Sequence, residues 1–160
     1  MAGVPGLRRD GERAAELKFV VQLHDATTLH YDFRLEWRGV LVSWAVPKGP
    51  SMDPAVKRLA VPVDDHPLSW GGFEGRIRAG YGKGGVIIWD EGTWEPRDGT
   101  PDDEHFSFVL HGHKLTGGFA LTKTGAKRWL LVKMADADAR RGSDVGAERP
   151  ESVRSGRTIG

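Results

Sequence analysis

His30, Asp32, Arg34 and Glu36 occupy alternate positions, interleaved with Leu29, Tyr31, Phe33 and Leu35. Successive side chains of a β-strand leave on opposite faces. One strand would therefore show an apolar face and a second face carrying an imidazole, a carboxylate and a guanidinium. His24 lies just upstream. In a fully extended chain His24 and His30 would be about 20 Å apart, at roughly 3.3 Å per residue. A tight hairpin through Asp25-Ala26-Thr27-Thr28 would instead put them on neighbouring strands about 5 Å apart. His24, His30 and Asp32 could then meet at one point, and two imidazoles with a carboxylate are a common divalent-metal set. Arg34, one same-face step beyond Asp32, would hold an anion bound to that metal.

The elements that must position these groups read as short strands. Phe19–His24 is rich in β-branched residues, and Leu29–Trp37 alternates. Arg38-Gly39 supplies a turn into 40–46, and Pro47-Lys48-Gly49-Pro50 ends that strand. Residues 51–58 resemble a capped helical turn. Strands are expected at 59–63, 86–89, 92–95, 106–110, 118–123 and 128–133, with Asp64–Trp70 as a polar loop. The Gly-rich stretch 71–85 lacks a following helix start, so a barrel turn or close strand approach fits it better than a phosphate cradle. The expected fold is mainly β, a barrel or sandwich, with short helical turns. Residues 1–18 form an arm, 19–134 the domain, and 135–160, with few large apolar residues, a frayed helix or disordered tail.

The chain has 160 residues, enough for one domain with a core. Its net charge of +1 excludes a strongly basic nucleic-acid coat, so any such contact must be local. It has no cysteine, which excludes disulfides, thiolate zinc sites and a thiol nucleophile. No apolar run approaches membrane-spanning length and the N-terminus lacks a signal-peptide core, so a cytoplasmic protein is expected. On pattern alone, Tyr31, Phe33 and Leu35 belong to a core, Lys48 and Arg58 read as surface charges, and His66 is ambiguous, a lone loop histidine being usually solvated. The same His-x-Asp suits the facial triad of a non-haem iron oxygenase, whose second histidine would come from downstream, among His105, His111 and His113. A barrel that binds DNA ends without catalysis is another alternative.

The residues carry a family likeness. Gln22–Ala26 and Leu29–Leu35 resemble the opening motif of the 3′-phosphoesterase domain of bacterial DNA ligase D. The likeness continues through Ser43-Trp44-Ala45-Val46-Pro47-Lys48-Gly49-Pro50-Ser51, Lys57–Val61, Asp65–Leu68, Phe73-Glu74-Gly75, Val86–Asp90 and Trp129–Lys133. It implies a β-barrel whose interior holds manganese, with zinc or iron as other candidate ions. It implies a DNA-repair enzyme of non-homologous end joining that removes a 3′-terminal ribonucleotide and then the 3′-phosphate from a primer–template end. By position, His24, His30 and Asp32 would bind the metal and Arg34 and His66 the scissile phosphate. Lys48 and Arg58 match basic positions near the phosphate, and Gln22 and Asp64 would be supporting polar groups. A ligase, a polymerase and the end-binding Ku protein are the implied partners, and a monomer is expected. The family's N-terminal arm carries an Arg-Asp pair and a Glu; Arg9-Asp10 and Glu16 are the counterparts here, on a shorter arm. Trp70 stands where the family commonly has Tyr, and the Gly80-Tyr81-Gly82 segment is one residue short.

Overall fold

The computed structural model describes residues 16–77 and 84–159. The arm residues Arg9 and Asp10, and the Gly80-Tyr81-Gly82 segment, lie outside them. Among the described residues nine strands follow one another: β1 (Leu17–Asp25), β2 (Leu29–Trp37), β3 (Val40–Val46), β4 (Lys57–Pro67), β5 (Gly75–Ile77), β6 (Gly84–Asp98), β7 (His105–Gly112), β8 (Thr116–Gly125) and β9 (Arg128–Lys133). All pairings are antiparallel. The order β1-β2-β3-β4-β9-β8-β7-β6 closes because β6 also pairs with β1, giving an eight-stranded barrel with β5 as a short flap on β6. Closure removes the unpaired edges that an open sheet of this size would leave.

The barrel interior is packed, not hollow. Phe19, Phe33, Trp44, Trp89, Phe106, Phe108 and Phe119 all point into one buried cluster with Val21, Leu23 and Leu35. Trp44 lies 6.4 Å from Phe33, 6.1 Å from Phe106 and 5.7 Å from Trp129, ring centre to ring centre. The interior therefore does not hold the metal site that the family likeness implies. Alternation explains why: Phe19, Val21 and Leu23 take the inner face of β1, which sends Val20, Gln22 and His24 to the outer one.

That outer face is itself covered. Val20, Leu41 and Ile88 form a second, smaller apolar cluster beneath Trp70 and Val153. Trp70 belongs to a 3-10 turn, Leu68–Gly72, in the crossover from β4 to β5. Gly71, in the same turn, lies over Leu41 and Val20 at ordinary contact distance.

Three local expectations change. The polar stretch Asp64–Pro67 is the end of β4, with His66 opposite Leu41, because one extra residue in β4, opposite Leu41–Ser43, shifts the register and lets the pairing run on. The two strands 86–89 and 92–95 are parts of the single strand β6. Residues 51–56 form no helix. Asp53 instead closes a turn, its carboxylate accepting from Ala55 N, its carbonyl from Val56 N and its own N–H donating to the Ser51 hydroxyl.

Residues 135–159, expected as a frayed helix or disordered tail, are laid along the barrel. Arg140 N donates to the Met52 carbonyl and Gly142 N to Asp53. A single helical turn, α1 (Val145–Glu148), is capped by Asp144 and buries Val145. Beyond it Trp89 donates to the Arg149 carbonyl, Val153 N to Ile88 O, and Ser152 to Glu74. Most of these contacts use backbone groups, so they leave no hydrophobic periodicity to read.

Candidate metal centre

The three-residue loop Ala26–Thr28 sets His24 directly opposite His30 in the β1–β2 register, with Gln22 opposite Asp32. All four side chains leave on the outer face. The imidazole rings are 5.1 Å apart, centre to centre. One ligand atom from each of His24, His30 and Asp32 lies within 4.8 Å of the others. His24 Nδ1 is 3.7 Å from Asp32 Oδ2, and His30 Nε2 is 3.2 Å from Asp32 Oδ1. Two donors each about 2.1 Å from one ion are at most about 4.2 Å apart, so both separations suit a shared cation. His30 adds a second indication. Its Nδ1 lies 2.9 Å from the Thr28 carbonyl. With the proton held there, the Nε2 lone pair faces Asp32, as metal-ligating histidines are commonly arranged. The hydrogen bond to Asp32 also raises the His30 pKa above the ordinary imidazole value, against a smaller opposing effect of burial.

Arg34 is almost fully buried and almost fully committed. Its Nε donates to Gln22 Oε1 at 2.7 Å, and Nη1 donates to the Ser43 hydroxyl at 2.9 Å and reaches His66 Nδ1 at 3.1 Å. Nη2 is 3.4 Å from Asp32 Oδ2. A guanidinium has five N–H donors, so one on Nη2 is left over. Burial lowers the pKa of Arg34 and the Asp32 carboxylate opposes the shift. Gln22 fixes the arrangement from behind: its Nε2 donates to the carbonyls of Trp70 and Phe73, tying β1 to the crossover.

His66 Nδ1 also lies 3.0 Å from the Asp64 carbonyl. A ring nitrogen cannot accept from Arg34 and donate to Asp64 at once, so these two contacts belong to different tautomers. Asp64 thus meets the site through its backbone, not its carboxylate. His66 lies 5.9 Å from Trp70, which stacks on Phe73 at 4.5 Å. The Trp70 indole nitrogen is buried and has no hydrogen-bond partner among the described residues.

These groups surround a cavity of about 750 Å³ lined by His24, His30, Asp32, Arg34 and His66 and walled opposite by Val63, Trp70, Phe73, Arg76 and Ile77, with Ala45 and the 26–28 loop completing it. Lys48 and Arg58 are not among its lining residues. Lys48 is exposed, and Arg58 lies on β4 opposite Leu131. The downstream histidines lie apart from the cluster. His105 contacts Thr122 at 2.6 Å and His111 pairs with Glu95 at 3.3 Å, so neither completes a facial triad. His113 likewise does not line the cavity.

Residues 22–123 match the DNA Ligase D 3′-phosphoesterase domain. The chain belongs to that family. It is 53% identical over 154 residues to the multifunctional non-homologous end joining protein LigD of Pseudomonas aeruginosa, covering 89% of this chain and 18% of that protein. It is 50% identical over 120 residues to the LigD DNA repair protein of Mycobacterium tuberculosis, covering 72% of this chain and 16% of the relative. The Mycolicibacterium smegmatis LigD is 45% identical over 137 residues, which cover 79% of this chain and 18% of that protein. The chain thus spans less than a fifth of the length of these relatives. Family membership makes it a phosphoesterase domain, and a phosphoesterase is a hydrolase. Among the described residues no helix is long and apolar enough to cross a membrane.

Two residues escaped the sequence reading: Ser43, which holds Arg34 from behind, and Arg76, which lines the cavity. Ser43 was available in principle: a two-residue turn at Arg38-Gly39, both with positive φ, pairs Arg34 with Ser43. Arg76 had no local signal, since it reaches the cavity through a three-residue strand after the crossover.

Proposed function

We propose that this domain is a divalent-metal-dependent 3′-phosphoesterase that clears 3′-phosphates, and 3′-terminal ribonucleotides, from DNA ends in break repair by non-homologous end joining. DNA 3′ ends are its substrate, and a ligase, a polymerase and Ku are the partners that the family likeness implies. The observation that carries the reading is the position of Arg34, with a donor to spare, 3.4 Å from a carboxylate of a three-ligand cluster. That is a cation set beside a cation site, an arrangement suited to a dianion.

His24, His30 and Asp32 would hold the ion, and oxygen and nitrogen ligands without thiolate suit manganese, with zinc as the next candidate. When bound, such an ion offsets phosphate charge and acidifies a water. Arg34 orients and neutralises a phosphate oxygen through its remaining N–H. Its partners Gln22 and Ser43 keep the guanidinium from moving with the substrate, so stabilisation costs little reorganisation. His66 has a role that follows from its tautomer. When Nδ1 accepts from Arg34, the proton resides on Nε2, where it can be donated to the leaving 3′ oxygen. The closed crossover over Val20 and Leu41 limits water behind the site.

The test is a 5′-labelled primer–template bearing a 3′-phosphate or one terminal ribonucleotide, incubated with manganese, with zinc and with chelator. Conversion to a 3′-hydroxyl end that chelator abolishes is the expected result. Binding of the end without processing in any divalent metal would leave only a DNA-binding module, and oxidation of a substrate with iron and a 2-oxoacid would favour an oxygenase.

A further inference from the structure

Charge is the quantity the site leaves unbalanced. A DNA 3′-phosphate end brings a terminal monoester dianion and, one nucleoside upstream, a phosphodiester anion. The ligand cluster and Arg34 face the first. Arg34 has a single donor left, and neither Lys48 nor Arg58 lines the cavity. The cavity, at about 750 Å³, has the size of a small-molecule site and not of a lone phosphate. It can therefore take the terminal nucleoside between the ligand wall and Val63, Trp70, Phe73 and Ile77. The next phosphate must leave over its lip.

Arg76 stands at that lip. It is exposed, and no hydrogen bond or ion pair engages its guanidinium among the described residues. It lines the metal-centre cavity and also a second one, of about 380 Å³, together with Asp25, Gly85, Arg157 and Ile159. The sheet sets its place: Arg76 pairs with Gly85, and Gly85 pairs with Asp25, one residue past the His24 ligand. Three neighbouring strands put Arg76 and Asp25 about 10 Å apart at the backbone, at about 4.8 Å per strand. The two carboxylates in the second cavity do not bind Arg76; Glu74 accepts instead from Ile88 N and Ser152.

Resting on the phosphoesterase reading above, we propose that Arg76 is a positioning residue that grips the last internal phosphodiester of the substrate strand. It sets how a polynucleotide end is seated and takes no part in the reaction at the terminal phosphorus. The experiment compares wild type, Arg76→Gln and Arg76→Lys on 3′-phosphate oligonucleotides. One strand is all-phosphodiester, one has a neutral methylphosphonate at the last internal linkage, and one has it several linkages upstream. KM and kcat are measured with manganese, and Kd is measured by anisotropy on a strand ending in a non-hydrolysable 3′-methylenephosphonate.

The expected result is that R76Q raises KM and Kd about tenfold, the scale of one charged hydrogen bond, with kcat unchanged. The neutral last linkage should weaken wild type by a similar factor and R76Q hardly at all, the distant one should do nothing, and R76K should recover part of the loss. Equal binding by wild type and R76Q, or an R76Q loss that is as large on the neutral linkage, would overturn the assignment while leaving the phosphoesterase reading intact. A wild type that neither processes 3′-phosphate ends nor prefers them to 3′-hydroxyl ends would overturn both.

Discussion

Lys114 and Arg34 are both buried cations, and their surroundings differ in what is left over. Lys114 Nζ donates to the carbonyls of Arg149 and Glu151, lies 3.9 Å from the Glu151 carboxylate and sits 4.4 Å over the Trp89 ring. Its three donors are spent. The nearby Asp90 carboxylate is likewise consumed by the backbone N–H groups of His113, Lys114 and Leu115. Around Arg34, by contrast, one donor is unspent, and the carboxylate it touches is shared with two imidazoles that face a cavity. Buried charge that closes on its own chain fastens structure, here the 145–153 segment to the barrel. Buried charge that converges and stops short of closing is prepared for a ligand.

The sharpest break between the two regions should come from His30→Ala. It should lose stoichiometric metal and about 10³-fold in turnover, the several kcal/mol a metal supplies, with metal content and phosphate release as the readouts. Metal-replete, active protein would remove His30 from the ligand set. Arg34→Ala should keep the metal and lower turnover by at least about tenfold; near-normal turnover would deny it the phosphate. Lys114→Met should do the reverse. It leaves the Glu151 carbonyl without its donor and the Arg149 carbonyl with Trp89 alone, so urea melts should show about 1–3 kcal/mol of lost stability, with metal affinity and turnover unchanged. A loss of metal affinity in that variant would mean the regions are not separate.

Acidity distinguishes them further. Burial pulls Lys114 from 10.5 to about 8. The unfolded chain then binds more protons than the native one between those values, so the Lys114 contribution to stability should rise with pH across that window. The difference between wild-type and Lys114→Met melts, followed from neutral to alkaline pH, measures it. At the candidate metal centre a hydrogen bond, and not burial, sets the direction. The Asp32 hydrogen bond raises His30, and its proton must leave before Nε2 can bind an ion. Metal affinity should therefore start to fall, as pH drops, above the ordinary imidazole value. A metal titration across that range reads it out.

Much of this was legible before any coordinates. Alternation in 29–36 placed the polar row on one face, and the short loop after His24 set the two histidines opposite each other. The same alternation, followed one step further, also tells which side of the barrel the row occupies: Phe19, Val21, Phe33 and Leu35 claim the inside. The family likeness suggested the interior, and the aromatic core excludes it. What the pattern could not supply came from chain segments distant in sequence. His66 and Arg76 meet the cluster through a crossover that Gln22 ties down by bonding to the Trp70 and Phe73 carbonyls. The docked C-terminal stretch was invisible for a similar reason, since it is held by carbonyls, amides and a buried lysine more than by apolar side chains.

Crystals grown with manganese and measured at an anomalous wavelength test the central claim most directly. The account predicts one strong anomalous peak on the outer face of β1 and β2, bonded to His24, His30 and Asp32 with Arg34 alongside. No peak there, or a peak held by other residues, would contradict it.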